Sequence, residues 1–111
     1  MPEHVRDKLA QFQNLQEQIQ NLVMQKQQMI YSKSDIDKAI VELKKTKEGE
    51  TVYRLSGTVL IKKDGDVVKK ELEDQSEIID SRIRSMAKQE ETLKKHLESM
   101  SSELKQMLGQ G

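Results

Sequence analysis

Apolar residues recur along most of this chain at alternating steps of three and four. In the first part the steps visit Val5, Lys8, Phe12, Leu15, Ile19, Leu22, Lys26, Met29, Lys33, Ile36, Ile40 and Leu43, and nine of these twelve positions are apolar. In the last part they visit Leu72, Ser76, Ile79, Ile83, Met86, Glu90, Leu93, Leu97, Met100, Leu104 and Met107, with nine of eleven apolar. Both runs keep the 3.5-residue spacing of helices that supercoil left-handedly around a narrow seam. Stretches 5–47 and 66–108 contain neither Gly nor Pro, and as α-helix each would run about 65 Å. Between them the pattern changes. Thr51 to Lys62 reads TVYRLSGTVLIK, two short segments rich in β-branched and aromatic residues around a Ser56-Gly57 turn candidate, which predicts a β-hairpin. The fold expected is mainly α, a long antiparallel two-helix coiled coil joined by a single β-hairpin. It forms a single unit over 1–111, with an N-terminal helix at about 5–47, the hairpin at about 51–62 and a C-terminal helix at about 66–108.

Equal helices joined by a short connection fold back on each other, so seam layers can be paired outward from the hairpin. Leu43 then meets Leu72, Ile40 meets Ser76 and Ile36 meets Ile79, followed by Lys33 with Ile83 and Met29 with Met86. Further out come Lys26 with Glu90, Leu22 with Leu93, Ile19 with Leu97, Leu15 with Met100, Phe12 with Leu104 and Lys8 with Met107. Two seam defects of opposite charge, Lys26 and Glu90, fall in one layer. A slip in register leaves each charge facing hydrocarbon, so the pair is expected to specify register at some cost in stability. Lys8 and Lys33 have no such partners in this scheme and are expected to lay their stems along the seam. Gly49, after Lys44, Lys45 and Lys47, is the expected stop of the first helix, and Asp64 or Asp66 the expected N-cap of the second.

Composition narrows the reading. Hydrophobic residues make up 34% of the chain with one Phe, two Tyr and no Trp, which is little material for a globular core. Charged residues also make up 34%, and nineteen basic residues balance nineteen acidic ones, so no global field draws nucleic acid or an anionic membrane. There is no cysteine, no signal-peptide core and no apolar run long enough to span a bilayer, and a cytoplasmic location is expected. His4 and His96 stand without a cluster that would ligate metal or form a triad, and no glycine belongs to a phosphate-cradling loop. Neither a cofactor nor an enzymatic activity is expected.

The hairpin is too apolar for a simple connector. Tyr53, Leu55 and Leu60 share one face and Val52, Val59 and Ile61 the other, on the pairing Leu55 with Thr58, Arg54 with Val59, Tyr53 with Leu60 and Val52 with Ile61. Such a hairpin is marginal alone in water, and its two edges carry unpaired backbone groups. Val52, Tyr53, Leu55, Gly57, Val59, Leu60 and Ile61 are therefore the candidate oligomerisation residues, with hairpins from several chains joining into a shared sheet or barrel.

These residues resemble the β class of prefoldin subunits. VYRLSGTVLIK is similar to that family's hairpin segment, with Tyr53, Gly57, Leu60 and Ile61 at matching places and equal helices on both sides, over essentially the whole chain. Thr58 departs from the proline that many relatives carry there, and a single hairpin fits the β class because the α class has two. The resemblance implies a hetero-hexamer of two α and four β subunits, a barrel built from the hairpins, and ATP-independent binding of unfolded polypeptides that are delivered to a group II chaperonin. From the balanced charge and the hydropathy, neither a nucleic-acid nor a membrane partner is expected.

Client binding is expected at the coiled-coil ends remote from the hairpin, at Val5, Leu9, Phe12, Leu104, Met107 and Leu108, where fraying would expose adaptable apolar side chains. A structural coiled-coil adaptor that tethers two folded partners is the alternative. Nucleic-acid binding through Lys44, Lys45, Lys47, Lys62 and Lys63 is a third, weakened by the neutral total charge.

Overall fold

A computed structural model describes residues 1–109. Helix α1 runs from Glu3–Lys44, strand β1 from Thr51–Ser56, strand β2 from Val59–Asp64 and helix α2 from Gly65–Met107. The fold is the expected antiparallel two-helix coiled coil with one hairpin between the helices. Among the described residues no helix is long and apolar enough to cross a membrane.

The chain divides into two compact units. One comprises Met1–Gln28 with the segment from Arg84 onward, the other Met29–Ile83. In the first, Leu15, Ile19 and Met100 form a buried cluster against which Phe12, Leu93 and Leu97 pack. Val5, Leu22 and Leu104 are also buried there. In the second, the buried residues are Ile40 and Val68, while Ile36, Leu43, Leu72, Ile79 and Ile83 are half-buried. Two helices share only a stripe of each surface, so a single line of side chains is removed from water and no broad core forms.

The hairpin pairs differently from the sequence expectation. Its register is Thr51 with Asp64, Val52 with Lys63, Tyr53 with Lys62, Arg54 with Ile61, Leu55 with Leu60 and Ser56 with Val59. The two-residue loop is therefore Gly57-Thr58, not Ser56-Gly57. Gly57 has φ of 61° and Thr58 does not have a positive φ, which is the sign pattern of a type II′ turn. That turn matches the right-handed twist of the strands and needs glycine at its first central position, so a single glycine dictates where the loop sits. Each cross-strand partner moves by two residues. Because two is the period of a strand, every side chain keeps the face assigned to it from the sequence.

Helix ends also differ in detail. Helix α1 stops at Lys44, short of the expected 47, where the Thr46 hydroxyl donates to the Leu43 carbonyl at 2.6 Å and the Thr46 amide bonds the same oxygen. Gly49, the expected stop, instead occupies a separate turn closed by the Glu50 amide on the Lys47 carbonyl, with φ of 80°. Asp64 is the cap of α2: its Oδ1 accepts the Asp66 amide at 2.8 Å. Strand β2 thus passes into α2 with no loop. The far end of α2 closes on Gly109, φ 77°, whose amide reaches the Gln106 carbonyl at 3.0 Å.

No atom lies near the space a Cβ would occupy at Gly57, so a substitution there costs only backbone strain. Gly57→Ala is expected to destabilise the hairpin by about 1 to 3 kcal/mol. Hydrogen exchange should show faster exchange at the Tyr53 to Ile61 amides and unchanged protection in both helices.

Candidate functional site

The hairpin presents the most exposed apolar surface of its unit. Tyr53, Leu55 and Leu60, on one face, are 66%, 66% and 65% exposed. Val59 and Ile61, on the other, are also exposed, whereas Val52 is half-buried against Gly65. Gly57 is exposed at the turn. Six of the seven oligomerisation candidates therefore lie in the strands of one two-stranded sheet and Gly57 in its turn, and no third strand joins it among the described residues. Sequence reasoning did not identify what holds the sheet to the helices. Arg54 Nη1 donates to Glu71 Oε2, and Lys63 Nζ lies 3.6 Å from Glu71 Oε1.

The six client-binding candidates are divided by the structure. Val5 and Leu104 are buried, Leu9 and Phe12 are half-buried, and only Met107 and Leu108 face solvent. Phe12 belongs to the margin of the Leu15, Ile19 and Met100 cluster. The folded unit thus offers two of these six side chains at its surface and holds the other four in or beside its seam.

Lys26 and Glu90 meet in the first unit. Lys26 Nζ lies 2.7 Å from Glu90 Oε1, and Lys94, one turn further along α2, brings its Nζ to 2.9 Å from Oε2. Glu90 is only 14% exposed at its side chain, and its Oε1 is an ion-pair partner with no aligned hydrogen bond. The Lys26 ammonium foremost, and Lys94 after it, hold the Glu90 carboxyl below the usual carboxylate range against the opposing effect of burial. The i,i+4 spacing of Glu90 and Lys94 was a readable signal for the third member.

The two lysines left without partners by the sequence scheme both have them. Lys8 Nζ contacts Glu103 Oε2 at 2.7 Å, and Lys33 Nζ donates to Asp37 Oδ2 at 2.7 Å. A lysine stem lying along a seam delivers its ammonium to the seam margin, where acidic residues of the polar faces are within reach. Asp37 also accepts the Ser76 hydroxyl at 2.7 Å, which bridges α1 to α2 beside the buried Ile40. Bonds from Lys33 and then Ser76 hold the Asp37 carboxyl low, and Asp37 in turn holds the Lys33 ammonium above its usual range. The clue to this second polar layer was Ser76, a small hydroxyl at a seam position.

His4 and His96 are exposed, and no group of three or more acidic or histidine side chains able to hold a metal occurs among the described residues.

A sheet with two apolar faces and no further strand of its own, set between equal helices, is the geometry of one subunit of a larger assembly. Residues 6–111 match the family model described as prefoldin subunit, and the chain belongs to that family of chaperone subunits. Within the family it is of the β class. It is 36% identical to the prefoldin subunit beta of Methanothrix thermoacetophila over 99% of this chain and 92% of that one. It is 34% identical to the prefoldin subunit beta of Saccharolobus islandicus over 97% and 86%. The crystal structure of the prefoldin beta subunit from Thermococcus strain KS-1 superposes with a TM-score of 0.86 at 27% identity, covering 96% of this chain and 94% of that one.

Because the folded-state pKa of Glu90 is lowered, its pairing stabilises the protein fully above the unfolded value near 4.5 and is lost as the pH falls through the lowered folded value. Asp37 acts in the same direction. A thermal-melt series is expected to show a falling midpoint below about pH 4.5, and Glu90→Gln should make that acid decline shallower than in the parent.

Proposed function

We propose that this chain is one of four β subunits in a hexamer completed by two α subunits, and that the hexamer is an ATP-independent holdase of the cytoplasm. The observation that carries this reading is the hairpin, whose apolar faces stand exposed in the isolated subunit. Exposed apolar area of this kind is characteristic of an interface, and an open two-stranded sheet gains most by joining strands of a neighbour. The chain acts as one prefoldin-like unit over 1–111, with the hairpin building the platform.

Unfolded polypeptides bind at the helix ends through Val5, Leu9, Phe12, Leu104, Met107 and Leu108 and pass from there to a group II chaperonin. Met107 and Leu108 make first contact because they are already exposed, and local opening of the end turns adds the remaining four. Methionine and leucine side chains adapt to many sequences, which suits a binder without one fixed client. Mixing with an α-class subunit is expected to give the mass of a two-α, four-β hexamer by native mass spectrometry. That hexamer should suppress aggregation of several unrelated denatured proteins without nucleotide. Replacing Phe12, Leu104 and Met107 by Ser should leave its mass unchanged and weaken suppression several-fold. Undiminished suppression would move the client site elsewhere, and tight binding to one folded partner without suppression would favour an adaptor.

Lys26 and Glu90 serve as the register pair. Their contact occurs in a layer flanked by apolar residues on both helices, where a shifted pairing would strand each charge. Replacing both by Leu is expected to raise the melting temperature and to broaden the set of interhelix distances seen between spin labels. Lys26→Leu alone leaves Glu90 without its interhelix partner and should lower the melting temperature.

A further inference from the structure

The hairpin's two faces are unequal in a way the assembly role has to respect. Strand alternation and the observed register put Val52, Arg54, Ile61 and Lys63 on one face and Tyr53, Leu55, Leu60 and Lys62 on the other. The first face turns toward the start of α2, where Val52 lies against Gly65 and where Arg54 and Lys63 both reach Glu71. Arg54 comes from β1 and Lys63 from β2, and each takes a different oxygen of the one carboxylate. Leu43, Val52, Val68 and Leu72 line the apolar groove beside this contact, and Tyr53 and Leu55 of β1 also border it. The second face keeps Tyr53, Leu55 and Leu60 each about two thirds exposed.

A two-stranded hairpin has no internal core to fix its own orientation. It can pivot where the turn before Thr51 enters β1, and the junction of Asp64 with Gly65, where β2 runs straight into α2, holds only its near end. Glu71 lies two turns into α2, far enough from that junction to resist a pivot, and its ties to both strands oppose rotation about either one. We propose that Glu71 is a positioning residue for assembly: by clasping Arg54 and Lys63 together, it sets the tilt of the hairpin on α2 and so presents the Tyr53, Leu55 and Leu60 face to the hairpin of a neighbouring subunit. This rests on the assembly reading above. Glu71 itself need not touch the neighbour. Its side chain is 39% exposed and lies outside the apolar seam positions of α2.

The test uses the full-length chain and its Glu71→Arg variant, each titrated with an α-class subunit and followed by native mass spectrometry, with hydrogen exchange and thermal melting of each β chain alone. Glu71→Arg is expected to need roughly tenfold more protein for half-assembly, in line with the loss of the charge-assisted Arg54 bond and of the Lys63 ion pair. Exchange should quicken at the Val52 to Lys63 amides, while the melting midpoint of the helices stays as in the parent. The double variant Arg54→Glu with Glu71→Arg restores one tie with reversed sign and should recover most of the assembly. Assembly of Glu71→Arg at the parental concentration would overturn the positioning role and leave the assembly reading standing. A fall in helix melting without rescue by the double variant would overturn it too, by making Glu71 a support of the helix. Failure of the parent chain to assemble would remove the assembly reading and the positioning role together.

Discussion

The type II′ turn at Gly57-Thr58 is the constraint from which the rest of this subunit can be counted. It sets Ser56 opposite Val59, and from that pair the alternation of the strands decides which side chains turn toward α2 and which stand clear of it. Val52, Arg54 and Lys63 are used internally, against Gly65 and Glu71. Tyr53, Leu55 and Leu60 are left over. A sheet of two strands cannot cover both of its sides, and here only the end of one face near α2 is covered, with Val59 and Ile61 still exposed on it.

The helices follow a different economy. Their seam is one side chain wide, so polar residues in it are always near its margin and can be satisfied there. Lys26 with Glu90 and Lys94 forms one such layer, and Ser76 with Asp37 and Lys33 forms another. Neither is deeply buried, which lets charge be tolerated in the seam without the large desolvation cost of a globular interior. Each layer also makes a helix pairing distinguishable from its shifted alternatives, something a uniform run of Leu and Ile does poorly.

Much of this was legible because the two periodicities involved, 3.5 and 2, are far apart and the breakers fall between them. All twelve seam positions traced through α1 are buried or half-buried, and the hairpin faces were sorted correctly even though the loop was placed one residue early. The misplacement came from treating Ser-Gly as interchangeable with Gly-Thr, when only a glycine at the first loop position satisfies the turn. Partners of Lys8 and Lys33 were missed because a seam pattern ranks positions by polarity and says nothing of how far a long side chain reaches. Glu71 was missed for a related reason. It sits on the polar side of α2, and its role arises from where the register brings Arg54 and Lys63. Which of the helix-end residues are covered was equally hidden, since Val5 and Met107 look alike in a hydropathy pattern but differ in burial.

The junctions on the two sides of the hairpin have unlike mechanical character. Strand β2 ends at Asp64 and α2 begins at Gly65, with the Asp64 side chain binding the first turn of the helix it precedes. Six residues, Lys45 to Glu50, separate α1 from β1 and contain a turn with a left-handed glycine. A load applied to the sheet therefore reaches α2 through a stiff coupling, and reaches α1 only after a compliant tether has been taken up. Of the two helices, α2 is the one whose start is fixed directly to the sheet, and α1 is joined to it through a longer and more compliant segment.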